Sequence, residues 1–428
     1  MGPPPASDAP LSAYAQRVVD TWALPGMAIG VVRDGDRVAT RSFGTRDRRT
    51  GRPVTEDTLF HLASISKTFV ATAVMQLVEG GQLELDRSVA AYLPGPAPSG
   101  ARATSITVRQ LLSHTSGLGD VSDYGWHEPE LDDGALGRFA ARVAGWTLER
   151  DPGADFAYSN AGYELLGHLV ATVGGTTFEA HLKDRVLDPA GMTTSTFLRS
   201  DVPAGQAASP HLGLPPRGVE GAYPYTRRHA PSSTLHSSAA ELSRWMVAHL
   251  AGGRGLMSPA THEVMWAPVA GTGGDFQREM ALGWFWGTTF TLTKAALDVL
   301  LGEDLADPPA PPVTVALAGA LEESGVARAV ELYRRLEAEG AAYDLGEDGF
   351  ADAVWGVIEM HRTDLAWPLL EVWATVQPDS AQMELSTGWA HEIDGRREQA
   401  VQHLSRAVEL DPEDEEASTM LRQLAAGA

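Results

Sequence analysis

Thr58-Leu59-Phe60-His61-Leu62-Ala63-Ser64-Ile65-Ser66-Lys67-Thr68-Phe69-Val70-Ala71-Thr72-Ala73-Val74 is the stretch on which the fold turns. Its apolar spacing predicts a helix over 66–80, with Ser64 near the N-terminus. Residues three apart share a helix face, so Ser64 and Lys67 point the same way. At a helix start, backbone N–H groups and the dipole favour negative charge, which suits a serine that becomes an alkoxide or carries an oxyanion. Lys67 is one of three lysines in a chain with thirty arginines. Arginine cannot lose its proton in a protein, whereas a desolvated lysine can. A lysine kept three residues after a serine therefore suggests a proton acceptor beside a nucleophile.

Working outward, the next informative stretch is Pro152-Gly153-Ala154-Asp155-Phe156-Ala157-Tyr158-Ser159-Asn160-Ala161-Gly162-Tyr163. A Tyr158 hydroxyl near a lysine ammonium can have its pKa lowered and act as a general base. Asn160 could orient the lysine and a substrate amide. Before these motifs, residues 10–22 read as a helix, and 27–40 as a hairpin around Asp34-Gly35-Asp36. Further helical patterns cover 107–113, 133–144, 160–173, 176–186 and 238–250. Ala281-Leu282-Gly283-Trp284-Phe285-Trp286 reads as a returning strand. A hairpin, then helices, then a strand gives an α/β (α+β) class with an all-helical insertion.

Composition narrows the function classes. The 428 residues are 43% hydrophobic and contain no cysteine, so disulfides, thiolate metal sites and a cysteine nucleophile are excluded. No His-Glu-x-x-His pattern occurs and the 13 histidines are scattered, so neither a metal nor another cofactor is expected. No apolar run approaches ~20 residues, so no transmembrane helix is expected. Met1-Gly2-Pro3-Pro4-Pro5-Ala6-Ser7-Asp8 has no basic start and no apolar core, which points to a cytoplasmic location. Net charge is −23, and residues 303–428 carry −18 of it, from 26 acidic against 8 basic residues. Nucleic acid and anionic membranes are therefore not expected partners, and the asymmetry argues for two domains.

The boundary falls at Asp304-Leu305-Ala306-Asp307-Pro308-Pro309-Ala310-Pro311-Pro312, a stiff, helix-incompatible linker. The expected division is 1–303 for the site-bearing domain, 304–312 for the linker and 313–428 for an acidic helical tail. Within the tail a 34-residue spacing links Trp355 to Trp389, Ala366 to Ala400, Leu370 to Leu404, Val376 to Leu410 and Pro378 to Pro412. Leu332 and Leu336 stand one period before Ala366 and Leu370. Thirty-four residues is the tetratricopeptide period, so packing or a protein partner, not chemistry, is expected there.

Together, Ser64-Ile65-Ser66-Lys67 and Tyr158-Ser159-Asn160 resemble the first two motifs of the serine β-lactamase and penicillin-binding-protein-like family, in its class C and family VIII esterase branch. Ile106-Thr107-Val108-Arg109-Gln110-Leu111-Leu112-Ser113-His114-Thr115-Ser116-Gly117-Leu118 and Asp188-Pro189-Ala190-Gly191-Met192-Thr193 extend the resemblance, which runs from about residue 10 to 302. It implies an antiparallel sheet flanked by helices with an all-helical subdomain. It also implies Ser64 as acylated nucleophile, Lys67 and Tyr158 as the proton-transfer pair, Asn160 as a substrate contact, and a structural role for His114.

One family motif is missing. Lys-Thr-Gly or His-x-Gly should follow the Gly283-Trp284-Phe285-Trp286 strand, but Gly287-Thr288-Thr289-Phe290-Thr291-Leu292-Thr293 runs almost directly into a helical pattern from Lys294 to Leu301. In the family that strand supplies one of two oxyanion-hole N–H groups, a donor worth roughly 10²–10³ in rate. Three readings compete: the strand is deleted, unseen, or replaced, with Trp286-Gly287-Thr288 the best substitute and Trp286 a substrate contact. Two functions follow. The first is a serine hydrolase forming a Ser64 acyl-enzyme with a small ester or amide. The alternative is a catalytically impaired binding protein whose helical tail recruits a partner.

Overall fold

The hairpin expected at 27–40 begins a three-stranded antiparallel sheet in the computed structural model, which describes residues 9–33, 35–93, 105–121, 123–213, 216–218, 223–274, 277–287 and 307–426. Strand β1 (Gly26–Arg33) pairs with β2 (Asp36–Asp47), and β2 with β3 (Arg52–Pro53). Helix α1 (Ala9–Thr21) precedes the sheet and packs Leu11 with Val31. Strand β4 (Phe60–His61) leads through a short 3₁₀ turn, Ala63–Ile65, into α2 (Ser66–Glu79). Helix α2 is apolar nearly all round and is accordingly buried, with Phe69, Val70, Ala73 and Val74 fully inaccessible.

Helices α3 (Val108–Leu112) and α4 (Ala135–Val143) pack on α5 (Asn160–Gly174), and α5 and α6 (Phe178–Leu182) pack on α2. A short ladder of β5 (His211–Leu212) with β6 (Arg217–Gly218) follows. After it come α7 (Ala230–Ser233), β7 (His236–Ser237), α8 (Ala239–Leu250) and α9 (Pro259–Trp266). Phe69 stacks on Trp245 of α8 with centroids 3.9 Å apart. β4 pairs with β7, so Phe60 faces Ser237 and His61 faces His236. That ladder, with Leu62 N–H donating to Leu235 O at 2.8 Å, fixes the approach to Ser64.

A second sheet has the order β10 (Phe285–Gly287), β9 (Gln277–Met280), β8 (Ala270–Gly271). It corrects the strand expected over 281–286. Ala281–Trp284 is a turn closed by Ala281 N–H to Trp284 O at 2.8 Å, and only Phe285 onward is strand. Gly283, at φ 83, makes the turn, and its N–H donates to Leu112 O at 3.1 Å. A Cβ there would overlap Ala71 Cβ of α2, so the turn lies on that helix only because residue 283 has no side chain. Short apolar runs do not separate strand from turn by periodicity, and here glycine was the deciding signal. The Thr288–Thr293 junction, the Lys294 helix and linker residues 304–306 lie outside the described residues.

From Val313 the chain is helical: α10 (Val313–Glu339, broken at Gly325), α11 (Asp348–Glu359), α12 (Thr363–Val376), α13 (Ala381–Ile393), α14 (Arg397–Leu410) and α15 (Glu415–Ala426). Helices α12 and α14 begin and end 34 residues apart. Leu317, Phe350, Val354, Leu370 and Trp373 build a core of their own. The linker is not a free spacer, since Pro309 O accepts from the Trp22 indole at 3.3 Å and Asp307 pairs with Arg17 at 3.2 Å. On the other side of the contact, Leu212 packs against the helical core.

Candidate active site

Ser64 is exposed in the 3₁₀ turn that opens α2, where the first amides of a helix lack intrahelical acceptors. The residue before it, Ala63, has φ 43, a left-handed conformation that non-glycine residues seldom adopt. Lys67, one turn on, is 4% exposed. Its Nζ donates to Ser64 Oγ at 3.0 Å, Asn160 Oδ1 at 2.6 Å and Ser232 O at 3.0 Å. Tyr158 OH donates to the same Ser64 Oγ at 2.9 Å. The four residues Ser64, Lys67, Tyr158 and Asn160, drawn from α2 and the start of α5, thus meet in one hydrogen-bonded cluster.

The supporting groups explain its geometry. Ser159 caps α5 by accepting from Gly162 N–H at 3.1 Å, which sets Asn160 at the first turn. Asp120 then holds Asn160 through its backbone N–H at 2.6 Å and its side-chain amide at 2.8 Å, so that Oδ1 faces Lys67. His114 accepts from Ser159 N–H at 3.0 Å and stacks on the Tyr158 ring at 4.4 Å. Phe285 of β10 stacks on Tyr158 at 6.5 Å. Behind Lys67, Glu164 and His229 are both fully buried, 3.2 Å apart.

Burial pulls the Lys67 ammonium down to about 8, against the opposing attraction of Glu164 and Asp120. Burial acts the other way on Tyr158, pushing its hydroxyl up to about 12, opposed by the hydrogen bond to Ser64. The expected lowering of the Tyr158 pKa is therefore overturned. Lys67 lies over the face of the tyrosine ring, 4.9 Å from its centroid, and Asp120 and Glu164 add repulsion to the phenolate. Lys67, not Tyr158, is the group whose basicity suits proton abstraction near neutral pH.

Trp286 is not brought to this cluster. Its indole N–H donates to Trp266 O at 2.8 Å, while the preceding Phe285 faces Tyr158, as strand alternation requires. Sequence reasoning also missed Asp120, Glu164, His229 and Ser232. Glu164 did leave a signal: it is the only acidic residue in α5, four positions after Asn160 on an otherwise apolar helix. Asp120 and Ser232 lie on loops whose approach to Lys67 no local pattern encodes.

A cavity of about 520 Å³ adjoins the cluster. Asp120, Asp123 and Tyr124 line one wall, and Glu359, Glu392 and Glu416 of the helical region line the other. No helix among the described residues is long and apolar enough to cross a membrane.

Known proteins place these features in a family. The family model described as Beta-lactamase matches residues 12–334. Penicillin-binding protein 4 of Amycolatopsis lactamdurans is 34% identical over 270 residues, 61% of this chain and 70% of that protein. Esterase EstB of Burkholderia gladioli is 34% identical over 221 residues, 48% of this chain and 55% of that protein. Among solved structures, the octameric penicillin-binding protein homologue from Pyrococcus abyssi aligns with a TM-score of 0.62 at 22% identity. That alignment covers 74% of this chain and 82% of that one, and it speaks to the fold alone.

Proposed function

The chain belongs to the beta-lactamase family, and on that premise we propose that it is a serine hydrolase cleaving a small ester or amide through an acyl-enzyme on Ser64. The observation that carries this reading is the shared Ser64 oxygen, 3.0 Å from Lys67 Nζ and 2.9 Å from Tyr158 OH. An ammonium has three donors, and Lys67 has three acceptors. When Lys67 is neutral, its two remaining N–H groups stay on Asn160 and Ser232, and its lone pair turns to Ser64.

In the proposed reaction, Ser64 Oγ–H gives its proton to Lys67 as Oγ attacks the carbonyl carbon. The tetrahedral oxyanion forms against the free amide at the helix start. On collapse, the leaving oxygen or nitrogen takes the Tyr158 proton, and the Lys67 proton restores the tyrosine. Water then repeats the sequence on the acyl-enzyme, with Lys67 again as base, and releases the acid. Asn160 holds the lysine, and Glu164 limits how far burial lowers its pKa.

Esters are favoured over amides, because an ester leaving group needs less help than an amine. The sequence lacks the motif whose strand would add a second oxyanion donor, a deficit of roughly 10²–10³ in rate. The likeness to Esterase EstB supports the same preference. That missing motif also sustains the second reading, a weakly catalytic binding protein whose helical region recruits a partner. The 34-residue recurrence of α12 and α14 supports a tetratricopeptide-like role for that region.

The test is incubation with p-nitrophenyl butyrate and with a chromogenic cephalosporin, followed by intact mass. Turnover with a transient adduct on Ser64 is expected with the ester. Absence of both turnover and adduct with either compound would sink the hydrolase and leave the binding protein.

A further inference from the structure

Two of the 13 histidines scattered through the sequence meet across the contact between the site-bearing part and the helical region. His127, on the loop after α3, stacks on His361, in the turn between α11 and α12, with ring centroids 3.6 Å apart and planes 21° apart. Asp123, four residues before His127, completes the group. One carboxylate oxygen and one nitrogen from each ring lie within 4.8 Å of one another. Neither ring has a hydrogen-bond partner among the described residues. Asp123 Oδ1 accepts from Gly125 N–H at 2.6 Å, which orients the carboxylate and leaves its other oxygen available.

We propose that Asp123, His127 and His361 bind one divalent transition-metal ion of the zinc class, which clasps the helical region to the loop beside the active site. Two imidazoles and one carboxylate suit zinc and its neighbours rather than calcium or magnesium, which prefer oxygen-only ligand sets. Zinc–nitrogen bonds of about 2.0–2.1 Å set ligand atoms roughly 3.4 Å apart and require each ring's lone pair to aim at the ion, so the two imidazoles turn out of their stack as well as drawing together. Asp123 and His127 are exposed and His361 is half-buried, which leaves room for that movement. Water or a nearby carboxylate completes the tetrahedron.

The cavity that Asp123 and His361 help to line also carries Glu359, Glu392 and Glu416, and no ion pair to these three occurs among the described residues. His361 has φ 54, and the position one 34-residue period later is Gly395 at φ 70. Both close a helix C-terminus in the same way, with His361 N–H donating to Ile358 O and Arg362 N–H to Val357 O, each at 2.8 Å, and glycine is the comfortable residue in such a turn.

That repeat relationship supplies a fold-preserving variant. His361→Gly places at 361 the residue that the next repeat already uses, removing the ligand while relaxing the turn. Tag-free, chelator-stripped full-length protein is titrated with Zn²⁺ by calorimetry and with Co²⁺ by visible absorption, then heated with and without Zn²⁺. One equivalent per chain is expected, with cobalt bands of tetrahedral intensity and a Zn²⁺-dependent rise in Tm. His361→Gly and His127→Ala should each weaken Zn²⁺ binding by at least about tenfold. His361→Gly should lose the Zn²⁺-dependent Tm rise while its metal-free Tm is unchanged or higher. His403→Ala, which removes the Glu384 partner in the helical region, should bind Zn²⁺ as the parent does. No Zn²⁺ uptake, or equal affinity in the parent and His361→Gly, would overturn the site. Neither outcome bears on Ser64 acylation, so this proposal and the hydrolase reading fail separately.

Discussion

Around Lys67, buried charge is surrounded by its complements. One amine faces three oxygen acceptors, with Glu164 and Asp120 of opposite sign close behind. In the helical region across the cavity, Glu359 and Glu392 are half-buried and Glu416 is exposed, all beside other carboxylates, and the stabilising work is done by an apolar core around Phe350 and Trp373. The first arrangement holds one proton loosely, in a place where it can move. The second holds helices together and leaves its charges unbalanced on the surface that meets the rest of the molecule. Rate and packing therefore depend on different residues, and substitutions should separate them.

The largest separation is expected from Ser64→Ala, which should lower p-nitrophenyl butyrate turnover by about 10⁴-fold or more and abolish the acyl adduct, with thermal stability little changed. Residual turnover above a few per cent would move the nucleophile elsewhere. Lys67→Arg comes next: it keeps a positive charge that cannot be neutralised, so a loss of about 10²–10⁴ in kcat is expected. Activity close to that of the parent would show that Lys67 acts as a charge and not as a base. Trp373→Ala should act on the other region, costing about 3–5 kcal/mol in the denaturant unfolding of the helices. Its kcat should stay within about twofold of the parent; a collapse of kcat would show that the two regions are one cooperative unit.

The smallest effect is the pH dependence. Lys67 must be neutral to accept the proton, so kcat/KM should fall about tenfold per unit as pH drops below about 8 and level off above it. With Tyr158 pushed up to about 12, no descending limb is expected on the alkaline side of that plateau within the range where the fold survives. A profile flat from pH 6 to 9 would contradict the lysine as base. The same shift bears on stability. Lys67 binds its proton less tightly folded than unfolded, so its contribution rises as pH climbs from about 8 toward the ordinary lysine value.

What could be read from the chain was what lies close together along it. Ser64 and Lys67 are one helical turn apart, and Ser159 caps the helix that carries Asn160, so local rules sufficed for both. Lys67 meets Ser232 across 165 residues, and Asn160 meets Asp120 across 40, distances over which periodicity says nothing. The direction of the Tyr158 shift was misread because it depends on burial, which a motif does not reveal. Trp286 was misassigned for a related reason: alternation along β10 puts Phe285, not Trp286, against Tyr158. His127 and His361 were dismissed as scattered because only the packed helical region brings them face to face.

Gly283 carries a consequence for how this protein tolerates change. It has no part in the hydrogen-bonded cluster at Ser64, yet its turn rests on Ala71, one turn after Lys67, and any side chain would force the two apart. In a saturation screen scored for activity, position 283 would be as closed as Ser64. In a screen scored for folding alone, Ser64 would reopen to small residues while position 283 would stay shut. Invariance at the two positions would look identical in a collection of functional variants, although one would record the proposed reaction and the other only a clearance.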